Sequence, residues 1–362
     1  MRDELAGFTV GVTADRRRDE LAALLERRGA RVVLAPALRI VPLADDTELR
    51  EATRACLDRP PDILMANTGI GMRGWLEAAE GWGLAEPLRS VLTRSYVVAR
   101  GPKARGAIRA AGLHDQWSPA SESCDEVVDH LRRRGVAGQV IAMQLHGERQ
   151  PECTLALEAA GATVIEVPVY RWAPPSDPAP LHRLIDLVAG RLVDAVTFTS
   201  AAAAESLLRA AGDRTDTLLS ALREDVLASC VGPVTAEPLR RRGVPVAAPA
   251  RARLGALVRT IVDELPRRTI SLKAAGHLIT LRGHAAVVDG ELRPLAPAPM
   301  AVLRELARSP GRVMSRTALL RTLPRGADEH AVEMAVARLR AGLKAPHVIQ
   351  TVVKRGYRLR TD

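Results

Sequence analysis

The sequence predicts an α/β body of two similar lobes, followed by a small basic α+β domain. Three observations predict it: an internal duplication, strand–helix alternation through both copies, and a change in charge near residue 270. The duplication is read from RRGARVVLAPALRI around Gly29 and AAGATVIEVPVYRW around Gly161. Both carry Gly-Ala-x-Val-(Val/Ile)-x-(Ala/Val)-Pro, and 29 to 161 is an offset of 132. Asp62 opens DILMANTG and Asp194 opens DAVTFTSA at the same offset; Gly101-Pro102 returns as Gly232-Pro233 one residue short of it.

Each element follows from its pattern. FTVGVTA is an apolar strand. RRRDELAALLERRG places Leu21, Leu24 and Leu25 on one helical face, with Gly29 as a C-cap. ARVVLAP is the next strand, and QVIAMQL, CTLALEAAG and ATVIEVP repeat the order. Such alternation gives parallel sheets with helices on both faces. Ligands of these sheets sit beyond the strands' C-terminal ends, where helix N-termini offer N–H groups to anions. Those ends are Thr13, Asn67-Thr68-Gly69, Gly101-Pro102, Gly147, Thr199-Ser200 and Gly232-Pro233. The small and hydroxyl residues there serve a ligand across a cleft, or serve only as helix caps.

Composition narrows the classes. Aromatic residues make up 2% of the chain, so Ala, Val and Leu must fill the cores. The four cysteines form no CxxC pair, which signals neither zinc nor a disulfide framework and suits a reducing compartment. No apolar run approaches about 18 residues, so a cytoplasmic protein without a membrane partner is expected. Residues 271–362 hold 16 Lys and Arg against 7 Asp and Glu; the whole chain's 52 against 42 leaves the first 270 residues nearly neutral. Basic charge gathered in one domain is the footprint of a nucleic-acid binder or, more blandly, a solvated surface.

The order of residues in the tail separates those two readings. Met300, Val302, Leu303 and Leu306 form an amphipathic stripe after Leu295-Ala296-Pro297. A turn at Ser309–Arg316 leads to a second, capped helix. Asp328 caps a third, in which Val332, Val336, Leu339 and Leu343 make one buried face. VIQTVVKRGYRLR then alternates around a Lys354-Arg355-Gly356 turn, a hairpin pattern. Three helices and a basic hairpin make a winged helix.

The body resembles uroporphyrinogen-III synthase over residues 7–265, most closely in VPVYRW, VTFTS and VGPVTAEPLRRRGVPV. The resemblance implies two flavodoxin-like lobes joined by a two-stranded β-ladder near 36–41 and 168–173. Lobe one would be 1–38 with 174–265, and lobe two 43–167. It implies closure of hydroxymethylbilane with loss of water, without metal or other cofactor. Tyr170 would then be the cleft tyrosine that protonates or positions the leaving hydroxyl, or a ladder residue packed between lobes. Thr13, Thr68, Gly101, Ser200, Gly232 and Thr235 would bind a carboxylated tetrapyrrole or related ligand. Several cleft positions depart from the family pattern: Ala104 where a partner of Thr235 is expected, Val12-Thr13-Ala14-Asp15, Asn67-Thr68 before GIGMRGW, and His146 before Gly147. Packing landmarks survive while cleft loops differ, which fits a retained fold with an altered ligand.

The tail resembles the OmpR/PhoB-type winged helix-turn-helix over 270–361, in PGRVMSRTALL, VARLRAGL and VIQTVVKRGYRL, with 266–271 as linker and 272–362 as the domain. ISLKAAGHLITLRGHAAVVDGELRPL fits that family's small N-terminal sheet. The 328–344 helix would enter the major groove of double-stranded DNA with His330, Glu333, Arg338 and Lys344, while Arg316 and Arg340 touch phosphate. Lys354 and Arg355 would form the wing tip, reaching the minor groove. OmpR-type domains usually follow a phosphorylated receiver, but Asp62 and Asp194 begin their strands rather than end them, so phosphorelay control is not expected. Fusions of the two resembled families are actinobacterial transcriptional regulators, linked by analogy to nitrate or nitrite assimilation. The chain is therefore expected to be a DNA-binding regulator with a ligand-sensing body; the alternative is a working synthase carrying a DNA-binding domain. A homodimer on DNA stays open.

Overall fold

The computed structural model describes residues 4–323 and 328–361. The strands run, in chain order, β1 (Thr9–Val12), β2 (Arg31–Leu34), β3 (Arg39–Pro42), β4 (Ile63–Ala66), β5 (Tyr96–Ala99), β6 (Val140–Gln144), β7 (Thr163–Val167), β8 (Tyr170–Ala173), β9 (Ala195–Phe198), β10 (Leu227–Cys230) and β11 (Val246–Ala247). The basic domain adds β12 (Ile270–Ala274), β13 (His277–Arg282), β14 (Ala285–Val288), β15 (Glu291–Pro294), β16 (Ile349–Val352) and β17 (Gly356–Leu359). The chain divides into two compact units, Met1–Ala37 with Asp177–Asp362, and Leu38–Ser176.

The first unit holds a parallel sheet in the order β11-β10-β9-β1-β2, the flavodoxin-like arrangement. The second holds β5-β4-β6-β7, also parallel, with Trp117 bridged to Val98 beyond its edge. It also holds the antiparallel pair β3 and β8, in register from Arg39↔Ala173 to Pro42↔Tyr170. Each half of the duplicated sequence therefore serves both sheets. The first half gives β1 and β2 to one and β4 and β5 to the other; the second gives β6 and β7, then β9 to β11.

The repeat is visible in hydrogen bonds as well as in letters. Gly29 and Gly161 both sit at φ +89°, each closing the preceding helix turn with its N–H at 2.8 Å from the carbonyl of Glu26 or Glu158. Asp62 accepts the Val140 N–H at 2.8 Å, and Asp194 accepts the Thr9 N–H at 2.7 Å. Leu21 and Leu25 are buried against Leu257 and Ile261, while Leu24 is half-buried. In the second unit Trp75 fills one face of the sheet, its indole N–H donating to Thr53 at 2.9 Å, which leaves no orphan donor on that ring.

The basic domain shares the first unit. A four-stranded antiparallel sheet, β12-β13-β14-β15, precedes helices Pro297–Arg308, Arg316–Leu320 and Glu329–Leu343, and the hairpin β16–β17. The stripe Val332, Val336, Leu339 and Leu343 is buried, each side chain contributing about 1.5–3 kcal/mol on transfer from water. Gly356 sits at φ +130°, and a Cβ there would meet the Met314 carbonyl at 1.9 Å. Only glycine lets Met314 pair with Tyr357 and fix the hairpin to the helices. The helix Leu254–Arg267 runs through Pro266, leaving Arg268 and Thr269 before β12. Among the described residues no helix is long and apolar enough to cross a membrane.

Candidate functional site

The second unit gathers polar groups at the C-terminal ends of its strands. Thr68 follows β4 and caps the helix Gly69–Gly81, accepting the Gly71 N–H at 3.0 Å. Gln144, the last residue of β6, is fully buried; its carboxamide oxygen accepts the Thr68 N–H at 2.8 Å and lies 3.3 Å from the Thr68 hydroxyl. That hydroxyl is also 3.3 Å from the phenol oxygen of Tyr170, the first residue of β8. Asn67 donates to the Gln144 main-chain carbonyl at 2.8 Å. A Cβ on Gly71 would lie 2.0 Å from the Gln144 carboxamide nitrogen, so this glycine makes room for the network.

Cations flank that network. Gly101 opens the helix Pro102–Ala110 without a side-chain cap, leaving first-turn N–H groups for an anion. Arg100 and Lys103 stand on either side of it, with no ion-pair partner among the described residues. His146 lies edge-on to Trp172, with ring centroids 4.8 Å apart. Burial, then the charges of Arg100 and Lys103, push its pKa down to about 3, so it is neutral near pH 7. A neutral imidazole with two free cations suits a carboxylated ligand. Thr68, Gly101 and Tyr170 were legible as candidates; Gln144, Arg100 and Lys103 were missed. Gln144 had a signal, a polar side chain ending an otherwise apolar buried strand, VIAMQ.

The first unit's strand ends are plainer. Ser200 caps the helix Ala201–Ala211, accepting the Ala203 N–H at 3.2 Å. Gly232 opens the helix Pro233–Arg240, again without a side-chain cap. Thr235, in the first turn of that helix, is buried, and among the described residues no protein group bonds its hydroxyl. Thr13 is turned inward. It is fully buried, and its hydroxyl donates to the Thr197 carbonyl at 2.7 Å, pinning β1 to β9. Ala104, at the position matching Thr235 in the repeat, is buried.

In the basic domain, Asp328 caps the third helix through the Ala331 N–H at 2.8 Å. His330, Glu333, Arg338 and Lys344 are exposed along it, with Ala337 and Ala341 between them. Arg338, Lys344, Lys354 and Arg355 have no ion-pair partner among the described residues, the state in which a cation is ready for phosphate. Arg316 instead pairs with Glu333 at 3.1 Å and lies over the Tyr357 ring. Arg340 donates to the Ile349 carbonyl at 3.0 and 2.8 Å and to the Thr351 hydroxyl at 2.8 Å, bracing the hairpin against the helix.

A joint ties this domain to the sheet of the first unit. The His284 N–H donates to Gly7 at 2.9 Å, its ring nitrogen lies 3.1 Å from the Thr9 hydroxyl, and Arg282 donates to Ala6 at 2.8 Å. Arg304 donates to the carbonyls of Arg191 and Gly283, both at 2.8 Å, and lies 3.5 Å from Asp194. Asp194, its side chain 12% exposed, thus meets Thr9, Gly283 and Arg304 together. Burial pushes its pKa up to about 6 against the opposing pulls of the Thr9 N–H and Arg304. The joint lies at the N-terminal ends of β1 and β9, opposite Ser200. The sequence showed none of these pairings, among them Thr9 with His284, 275 positions apart, and Ala6 with Arg282, 276 apart.

Comparison with known proteins supplies two family matches. The profile described as "Uroporphyrinogen-III synthase HemD" matches residues 19–259, and that described as "Transcriptional regulatory protein, C terminal" matches 290–359. An uncharacterized Bacillus subtilis protein, YjjA, is 28% identical over 257 residues, 70% of this chain and 94% of its own. A mutant uroporphyrinogen III synthase of Thermus thermophilus superposes with a TM-score of 0.62 at 30% identity, covering 71% of this chain and 100% of its own. The DNA-binding domain of Klebsiella pneumoniae RstA, solved with the RstA box, is 31% identical over 25% of this chain and 96% of its own, with a TM-score of 0.21.

Proposed function

This chain belongs to the uroporphyrinogen-III synthase family and carries a transcriptional-regulator DNA-binding domain, and on that premise we propose that its body is a sensor of a carboxylated tetrapyrrole or related ligand. The observation that carries the reading is the joint. The DNA-binding domain is docked on the N-terminal ends of β1 and β9 through Thr9, Asp194, Gly283, His284 and Arg304. Thr13 and Ser200 stand at the other ends of those same strands. A ligand held by Ser200, Gly232 and Thr235 acts on a sheet that contacts the reader directly.

Operator affinity measured with and without a uroporphyrinogen-like ligand tests this. An ordinary coupling of about 1–3 kcal/mol gives a change of roughly 5- to 150-fold. Arg304→Ala should shrink that change while DNA binding persists; an affinity that ignores saturating ligand defeats the sensor reading. On the DNA side, Arg338→Ala should weaken binding, and Arg355→Ala should lower the salt slope by about one. Binding that does not fall with salt would defeat the assignment of these residues.

One observation favours a second reading, an active synthase. The Tyr170 phenol is within hydrogen-bond reach of Thr68, where a ligand hydroxyl could take its proton on leaving. A coupled assay with hydroxymethylbilane, scoring type III against spontaneous type I product, decides between them: turnover lost in Tyr170→Phe establishes the synthase. The link to nitrate or nitrite assimilation is tested by mapping the operator, and the homodimer by sizing the DNA complex.

A further inference from the structure

The solvent face of the helix Glu329–Leu343 has an apolar centre. Its buried stripe is Val332, Val336, Leu339 and Leu343. At about 100° per residue, the line opposite that stripe runs through Met334, Ala337 and Ala341, with His330 at its N-terminal end. Met334 is 41% exposed, and both alanines are exposed. The long charged side chains stand to either side, Arg338 on one flank and Glu333 and Lys344 on the other. A helix that merely faces water carries its charged and polar residues along that central line. Here, in the basic domain, the outermost line is apolar and mostly short.

Two features say what covers it. The cations nearby are free: Arg338 and Lys344 on the helix, and Lys354 and Arg355 at the hairpin turn, have no ion-pair partner among the described residues. A second copy would bring the same cations against them, whereas a DNA groove brings phosphate along both walls. The acid on the flank is taken. Glu333 lies 3.1 Å from Arg316, so its carboxylate is not free to accept from a cytosine amino group. Alanines on the outermost line also let the helix backbone approach a groove floor that long side chains would hold away. The floor of the major groove displays one apolar group, the C5-methyl of thymine.

Resting on the reading of this helix as the element that enters the major groove, we propose that Met334, Ala337 and Ala341 are specificity-determining residues that select thymine through its C5-methyl group. From Met334 to Ala341 the helix rises about 10 Å, the height of about three base-pair steps. A bound site therefore carries two or three thymines, on either strand, within a run of about three base pairs. Loss of one buried methyl group should weaken binding about fourfold, and loss of three about 60-fold.

The full chain is first used to select a duplex from a randomised pool. Each thymine of the selected duplex is then replaced singly by deoxyuridine, which keeps pairing and charge and removes only the methyl. The expected result is two or three neighbouring positions at which uracil weakens binding about fourfold, with the steep loss of affinity in salt retained. Met334→Gln, Ala337→Ser and Ala341→Ser put a polar group of similar size on the line. Each should abolish the uracil penalty at one of those positions and leave it at the others. The wild-type comparison requires no variant to fold. Equal affinity for thymine and uracil duplexes, with the salt dependence intact, overturns the inference and leaves DNA binding standing. A uracil penalty that all three variants keep also overturns it, because other residues then read the methyl. Recovery of no duplex from the pool would overturn the DNA-binding reading as well.

Discussion

Asp62 and Asp194 occupy one position of a repeated design, and they live in different surroundings. Each precedes the fourth strand of its repeat unit, β4 or β9, and accepts the first N–H of the neighbouring strand, from Val140 at 2.8 Å and Thr9 at 2.7 Å. Each also offers its main-chain carbonyl to the strand on the other side, at Tyr96 and Leu227. Asp62 remains exposed to water. Asp194 is covered by Gly283 and Arg304 of the DNA-binding domain. The comparison teaches that an N-terminal strand end, ordinarily the structural side of such a sheet, became the docking side in one copy. The acid serves the backbone in both copies, and at Asp194 a glycine and an arginine of the DNA-binding domain pack against it.

The largest break in that contrast comes from Gly283→Val. A Cβ there would fall 1.8 Å from an Asp194 carboxylate oxygen, and Arg304 donates to the Gly283 main-chain carbonyl at 2.8 Å. Ordinary overpacking costs about 1–3 kcal/mol, and this clash lies at or above the top of that range. Denaturant unfolding of the full chain should show the loss, together with faster proteolysis between the body and the DNA-binding domain. Asp62→Asn, which keeps an acceptor for Val140, should change stability by less than about 1 kcal/mol. Equal effects of the two substitutions would mean that the joint adds nothing to the shared backbone role.

Acidification sharpens the contrast by sign. Asp194 titrates near 6 in the folded chain against 3.8 for an unperturbed aspartate, because burial disfavours its charge. The folded state therefore binds more protons between those values, and stability from this group falls as pH rises from about 4 to about 6. The size is about 3 kcal/mol. His284 works the other way: burial, then Arg31, lowers its pKa, so its contribution is lost as pH falls. Subtracting the Asp194→Asn curve from wild type removes the histidine. The difference in urea midpoint should slope downward over that window and be flat above it; parallel curves would show that Asp194 is not held in the joint.

Much of the framework was legible because it is local. Repeat landmarks, the helical stripe at Val332, Val336, Leu339 and Leu343, and the turn at Lys354-Arg355-Gly356 all depend on neighbours within a dozen positions. Thr68 and Ser200 were visible for the same reason, as hydroxyls at strand ends. Arg340 shows the limit. Its place in the chain suggested phosphate, but its guanidinium is occupied by Ile349 and Thr351, a partner choice set by how the hairpin folds back. The joint was silent because its parts lie far apart in sequence and none is an unusual residue where it stands. Gln144 was overlooked inside an apolar strand that looked complete without it.

The finest test of the comparison lies at the opposite strand ends. Four residues beyond the matched pair Thr9 and Val140 stand Thr13 and Gln144, both fully buried. Thr13 is short and reaches only the carbonyl of the next strand, whereas Gln144 reaches the cap residue Thr68. The helix after each cap is adjusted to match: its third N–H comes from Gly71 under Gln144, and from Ala203 in the other copy. Gly71→Ala should then drive a methyl into the Gln144 carboxamide, costing about 1–2 kcal/mol and loosening Thr68 and Tyr170. Adding Gln144→Thr removes the obstacle and recreates the other copy's pairing. The double variant should regain most of the loss in thermal or denaturant unfolding, a coupling of roughly 1 kcal/mol between residues in contact. Strict additivity of the two substitutions would show that the glycine and the glutamine do not depend on each other, and that the two strand ends differ for some other reason.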